Sequence, residues 1–125
     1  MPEANAGGPG KTHARDVPIA IVLRHREVRL DYQCLGQQPF VKDAPLNLVY
    51  VADLAKTARA SGEDQIIYTA ADTGFIAQNV YLFCASEGLA VVVRGGVDRE
   101  ALANLMKLRP NQKIILAQTV GYPKN

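Results

Sequence analysis

The stretch that decides the fold runs from Gln65 to Val93: QIIYTAADTGFIAQNVYLFCASE, then Gly88-Leu89, then AVVV. Ile66, Ala70, Thr73, Ala77, Val80 and Cys84 recur every three or four residues, and Ile67, Ala71, Gly74 and Tyr81 form a neighbouring stripe. That period predicts one long helix over Gln65–Glu87. Apolar residues on more than one side imply a central, buried helix. Small residues at Ala70, Gly74 and Ala77 leave a face where another backbone can approach closely. Gly88 ends the helix, because glycine tolerates the left-handed conformation common at helix C-termini. Leu89–Val93 is too short and too β-branched to be helical and reads as a buried strand.

Upstream, Ser61 is a plausible N-cap, with Glu63 and Asp64 suited to a first helical turn. Leu46–Val51 (LNLVYV) alternates and reads as a strand with Leu46, Leu48 and Tyr50 on one face. Gly36–Pro45 is loop-like, and Val17–Leu23 is a short apolar run of strand type. Downstream, Gly95-Gly96 turns the chain and Asp98 caps a helix over Arg99–Leu108 with Leu102, Leu105 and Met106 on one side. Lys113–Val120 is a final strand, closed by Gly121-Tyr122-Pro123. This order predicts a layered α+β or α/β domain over 17–125. Residues 1–16 offer little to bury and read as a disordered arm.

The chain has 125 residues, 48% hydrophobic and 21% charged, with a formal net charge of +2. Such a balance gives no case for a nucleic-acid partner. Cys34 and Cys84 belong to no CxxC or His/Cys cluster, which argues against a disulfide framework or a zinc site and points to a cytoplasmic setting. No apolar run approaches the ~18–20 residues of a membrane helix, and no signal-peptide pattern is visible.

The search for chemistry excludes more than it finds. Gly7–Thr12 (GGPGKT) imitates a phosphate loop but has Asn5 where the motif needs glycine, and no strand precedes it. His13 and His25 have no metal-ligand partner at helical spacing, and Arg24, Arg26 and Arg29 read as a solvated charged face. What remains is the junction Gly88-Leu89-Ala90, where a helix runs directly into a strand. Its exposed backbone N–H groups have no side chain in the way and are suited to lining a flat, electron-poor ring and donating to its heteroatoms.

The segments Ala70-Ala71-Asp72-Thr73-Gly74-Phe75-Ile76-Ala77-Gln78-Asn79-Val80-Tyr81-Leu82, Gly88-Leu89-Ala90 and Val120-Gly121-Tyr122-Pro123 occur in the order and spacing of the nitroreductases. The chain resembles that family, and most closely its short members similar to SagB-type dehydrogenases, from Asp31 to Lys124. The resemblance implies an α+β fold in which two intertwined subunits hold FMN at their interface. It implies hydride transfer from NAD(P)H through FMN to a nitro or quinone-like acceptor. It makes Gly88, Leu89 and Ala90 contacts of the flavin; Lys124, just past the last motif, is the candidate neighbour of its phosphate. No metal and no side-chain acid or base is implied. The family's Arg-Arg-Ser-x-Arg phosphate motif has only a faint counterpart in Arg26-Glu27-Val28-Arg29, where Glu27 replaces serine. The chain is therefore expected to correspond to the C-terminal portion of such a domain, truncated at the N-terminus. Two readings follow: an FMN-dependent oxidoreductase, or an inactive remnant that acts through protein–protein association. From periodicity alone, the long helix serves a dimer core or an ordinary monomer core equally well.

Overall fold

The computed structural model describes residues 19–24, 38–57 and 60–124. The arm at 1–16, the GGPGKT stretch, both histidines, Cys34 and Arg26–Arg29 lie outside them. Among the described residues four strands form one sheet: β1 (Ile19–Arg24), β2 (Leu46–Asp53), β3 (Ala90–Arg94) and β4 (Gln112–Gly121). Their spatial order is β1-β2-β4-β3, and every pairing is antiparallel, which makes the domain α+β rather than α/β. The described residues also form three helices, α1 (Pro39–Asp43), α2 (Gly62–Glu87) and α3 (Arg99–Met106), with a 3-10 turn at Leu54–Thr57.

Helix α2 is bounded by the expected signals. Ser61 Oγ accepts the Asp64 N–H at 3.4 Å, Glu63 and Asp64 occupy the first turn, and Gly88 caps the C-terminus with φ +69°. Helix α3 begins behind Asp98, whose Oδ1 accepts the Ala101 N–H at 3.1 Å, and ends at Lys107 in the left-handed region. The stretch read as a loop at Gly36–Pro45 contains α1. Proline at its first turn has no N–H to lose, so five residues suffice for a short helix that periodicity cannot reveal.

The sheet is covered on both sides by this chain. Tyr50, Ala52 and Leu48 of β2, with Leu116 and Val93, pack with Ala77 and Ile76 of α2. On the opposite face Val49, Val51, Ile114 and Ala117 meet Val41 of α1 and Leu102 and Met106 of α3. Leu105, expected beside them, is largely exposed. The pairing of β2 with β4 slips between Tyr50 and Val51, which face Leu116 and Ile114. Ile115 is thus left without a partner on β2, as in a bulge.

The orientation of α2 corrects the expected stripes. Its buried residues are Thr69, Thr73, Ala77 and Cys84, whereas Ile66, Ile67, Ala70, Ala71 and Gly74 are exposed. The helix is therefore covered on one side only within the described chain, not on several.

Candidate functional site

A cleft of about 730 Å³ opens between α1, the start of β3 and the end of β4. Phe40 and Pro45 form one side, Ala90, Val91 and Val92 another, and Tyr122, Pro123 and Lys124 close the far end. A second hollow of about 540 Å³ shares Phe40 and Val92 with it and continues to Arg94, Gly95 and Gly96. Together they make a trough along β3, largely apolar, with Arg94 lining the second hollow and Lys124 and one carboxylate, Asp43, lining the first. Both hollows fall within the size range of small-molecule sites.

The trough rests on buried polar side chains that hold both of its walls. Arg94 Nε donates to Thr119 Oγ1 at 2.8 Å, Thr119 Oγ1 donates to Asn47 Oδ1 at 2.7 Å, and Asn47 Nδ2 donates to the Val41 carbonyl at 3.0 Å. One chain of donors thus runs from β3 through β4 and β2 into α1. Arg94 is only 6% exposed, and this desolvation lowers its pKa from the ordinary guanidinium value. Buried polar groups without partners are costly, so a fully directed chain of this kind fixes the spacing of the elements it joins.

A second network lies on the α2 side. Tyr50 Oη donates to Gln118 Oε1, and Gln118 Nε2 donates to the Ala77 carbonyl at 3.1 Å. Burial, with smaller contributions from nearby Cys84 and Tyr81, pushes the Tyr50 phenol up to about 12. Burial also raises the Cys84 thiol. Tyr81 Oη accepts the Val93 N–H at 2.6 Å, so α2 supplies an acceptor to the edge strand β3.

Of the residues expected to contact a cofactor, Ala90 and Lys124 line the cleft. Gly88 and Leu89 do not; they cap α2. The Gly88 N–H is directed to the Ala85 carbonyl at 3.4 Å and the Leu89 N–H to the Cys84 carbonyl at 2.8 Å. Both donors are engaged within the cap, which leaves carbonyl, Cα and side chain for any outside contact. Arg94, Thr119 and Asn47 were missed by sequence reasoning. Their signal was present: a polar residue inside each of the apolar runs LNLVYV, AVVVR and IILAQTV.

The model of the Nitroreductase family matches residues 10–122. This chain belongs to the nitroreductase family. Among its nitroreductase relatives, the NADPH-flavin oxidoreductase of Vibrio harveyi is 30% identical over 99 residues, which cover 73% of this chain and 41% of that protein. The structure of the V. harveyi NADPH:FMN oxidoreductase complexed with NAD+ matches with a TM-score of 0.72 at 26% identity, over 86% of this chain and 50% of that one. A protein of Ralstonia eutropha JMP134, provisionally named a nitroreductase, is 41% identical with a TM-score of 0.67, over 73% of this chain and 43% of its own. The chain spans about two fifths of the length of the relatives it matches in sequence.

Proposed function

We propose that this chain forms the flavin-binding wall of an FMN-dependent oxidoreductase, which passes a hydride from NAD(P)H to a nitro or quinone-like acceptor. The observation that carries this reading is the trough along β3, largely apolar, with Arg94 and Lys124 among its lining residues. Its donor set fits a flat aromatic ring with an anionic tail. Phe40, Pro45, Val91 and Val92 would exclude water from the ring faces, and the part of the β3 edge that Tyr81 does not occupy would offer backbone groups to heteroatoms on its rim. Lys124 supplies a positive charge for the phosphate. Ala90 would lie against the ring, and Gly88 and Leu89, which do not line the cleft, would act on it by capping α2 and launching β3. When bound, the flavin supplies the two-electron chemistry, and the protein binds, orients and tunes it.

The relatives named for NADPH, FMN and flavin support this reading of cofactor and donor. We assign the functional unit as a homodimer in the cytoplasm, its interface including the exposed apolar residues of α2. That same exposed face favours a second reading, an inactive chain that works only by association. A visible absorption spectrum taken after incubation with FMN and desalting separates the two. A retained flavin band supports the first reading, and protein that stays colourless overturns it. Gly88→Val is expected to abolish flavin retention. At φ +69° a β-branched residue strains the cap that launches β3, although its Cβ would meet no neighbour within 4 Å. A folded Gly88→Val protein that keeps FMN removes Gly88 from the site.

A further inference from the structure

Arg99 occupies the first residue of α3, a poor place for a cation, since the positive end of the helix dipole lies there. Its guanidinium explains the choice. Nε donates to the Ile114 carbonyl at 3.1 Å, Nη2 to the Ile115 carbonyl at 2.7 Å and Nη1 to the Gly95 carbonyl at 3.2 Å. Three nitrogens of one rigid fork thus hold three backbone acceptors. The arrangement fills a specific gap. Strand β3 pairs with β4 only as far as Arg94 opposite Ala117, so β4 continues past the end of β3. Ile114 and Ile115 lie in that overhang, at the bulge against β2. Arg99 pairs their carbonyls and, with its remaining nitrogen, grips the turn by which β3 leaves the sheet.

That turn, Gly95-Gly96, lines the inner hollow of the trough. The Gly95 carbonyl also accepts the Val97 N–H at 2.9 Å, closing a three-residue turn. Described peptide bonds are all trans, so a carbonyl drawn toward Arg99 directs the following Gly96 N–H to the opposite side. Two consecutive glycines have many backbone conformations available, and nothing in their own side chains selects one. Outside the turn itself, the Arg99 guanidinium is the side chain that bonds the Gly95 carbonyl among the described residues.

We propose that Arg99 is a positioning residue of the cofactor trough: it locks the Gly95-Gly96 turn into the one conformation that shapes the inner wall and aims the Gly96 N–H. The inference rests on the flavin reading for its ligand, but the locking itself is a property of the protein alone. Lysine would retain the charge and lose the fork, because a single ammonium cannot span three carbonyls fixed in different directions.

The test compares wild type with Arg99→Ala, Arg99→Lys and, as a control for loss of surface charge, Arg109→Ala. The Arg109 guanidinium pairs with Asp53 at 3.1 Å, and neither residue lines the hollow that the turn lines. Amide hydrogen exchange is read first, without flavin. Exchange at Val97 is expected to accelerate at least tenfold in both Arg99 variants and to stay unchanged in Arg109→Ala, with the core of β4 still protected in all. Equal exchange at Val97 in wild type and Arg99→Ala overturns the proposal, as does loss of β4 protection in parallel, which would make Arg99 a general stabiliser. FMN titration follows, monitored by the shape and position of the flavin band. Both Arg99 variants are expected to bind at least tenfold more weakly with an altered band, and Arg109→Ala to match wild type. Unaltered affinity and band in Arg99→Ala overturn the link to the cofactor. Wild-type protein that binds no FMN overturns the flavin reading instead, and the exchange measurement still decides whether Arg99 holds the turn.

Discussion

The two faces of α2 invert the usual arrangement. The side against the sheet carries Thr69, Thr73, Ala77 and Cys84, small or polar, while the outer side carries Ile67, Tyr68, Phe75, Leu82 and Phe83. The buried face works because its hydroxyls are satisfied within the helix. Thr69 Oγ1 donates to the Gln65 carbonyl and Thr73 Oγ1 to the Thr69 carbonyl, each at 2.7 Å. Slim side chains then let the helix settle close to β2 and β4, where Tyr50 supplies the bulk. Packing needs complementary volumes rather than large residues on both partners. The outer face follows a different rule: Phe75 is 71% exposed in a row of large apolar side chains, the kind of surface on which the proposed association would draw.

The sharpest way to break this contrast is to remove the bulk from the buried side. Tyr50→Ala leaves a cavity beneath α2 and deprives Gln118 of its donor. Unfolding in urea is expected to show a loss of about 3–5 kcal/mol, the range for deleting a buried aromatic ring. A loss below about 1 kcal/mol would mean that α2 does not depend on Tyr50 for its seat.

The same contact carries a pH signature of somewhat smaller size. Below pH 10 the Tyr50 phenol is neutral whether folded or unfolded. Above it, an unfolded tyrosine ionises while the buried one, with its pKa pushed up to about 12, keeps its proton. The unfolded state then binds fewer protons, so stability falls between about pH 10 and 12. The full difference is about 2–3 kcal/mol. Tyr50→Phe should start from a lower plateau, because Gln118 loses its partner, and should lack that part of the alkaline decline. An identical decline in wild type and Tyr50→Phe would show that the phenol is not shielded.

How the helix faces divide also explains what the sequence could disclose. Punctuation was legible: Ser61, Gly88 and Asp98 mark helix ends because each makes a local hydrogen bond or adopts a local conformation that needs no tertiary partner. Strands β2 and β4 were legible within two residues at either end. The orientation of α2 was not, since period alone places apolar residues on a face without saying which face meets the sheet. Ile66 and Ala70 outweigh Thr69 in any hydrophobic count, yet Thr69 is the one buried. Helix α1 was hidden by its length. At the cleft, the motif Gly88-Leu89-Ala90 led to one lining residue, Ala90, and chain position to another, Lys124, whereas Asn47, Thr119, Arg94 and Arg99 act through contacts between distant parts of the chain. Asn47 and Thr119, for example, lie 72 positions apart and meet only in the folded sheet.

The smallest effect on the chain's own stability should come from the outer face. Phe75→Ser and Leu82→Ser remove large side chains that touch solvent, so dilute protein is expected to unfold within about 0.5 kcal/mol of wild type. Association should respond in the opposite sense. If a second copy covers this face, each substitution removes buried apolar area at about 25 cal/mol per Å², and the dimer dissociation constant should rise at least tenfold in sedimentation equilibrium. The pairing of these two readings gives the test its force. Lost stability in dilute monomer would mean that the outer face packs against this same chain, and unchanged association would mean that the partner sits elsewhere. Only unchanged stability with weakened self-association fits a helix whose slim face serves its own sheet and whose bulky face serves a neighbour.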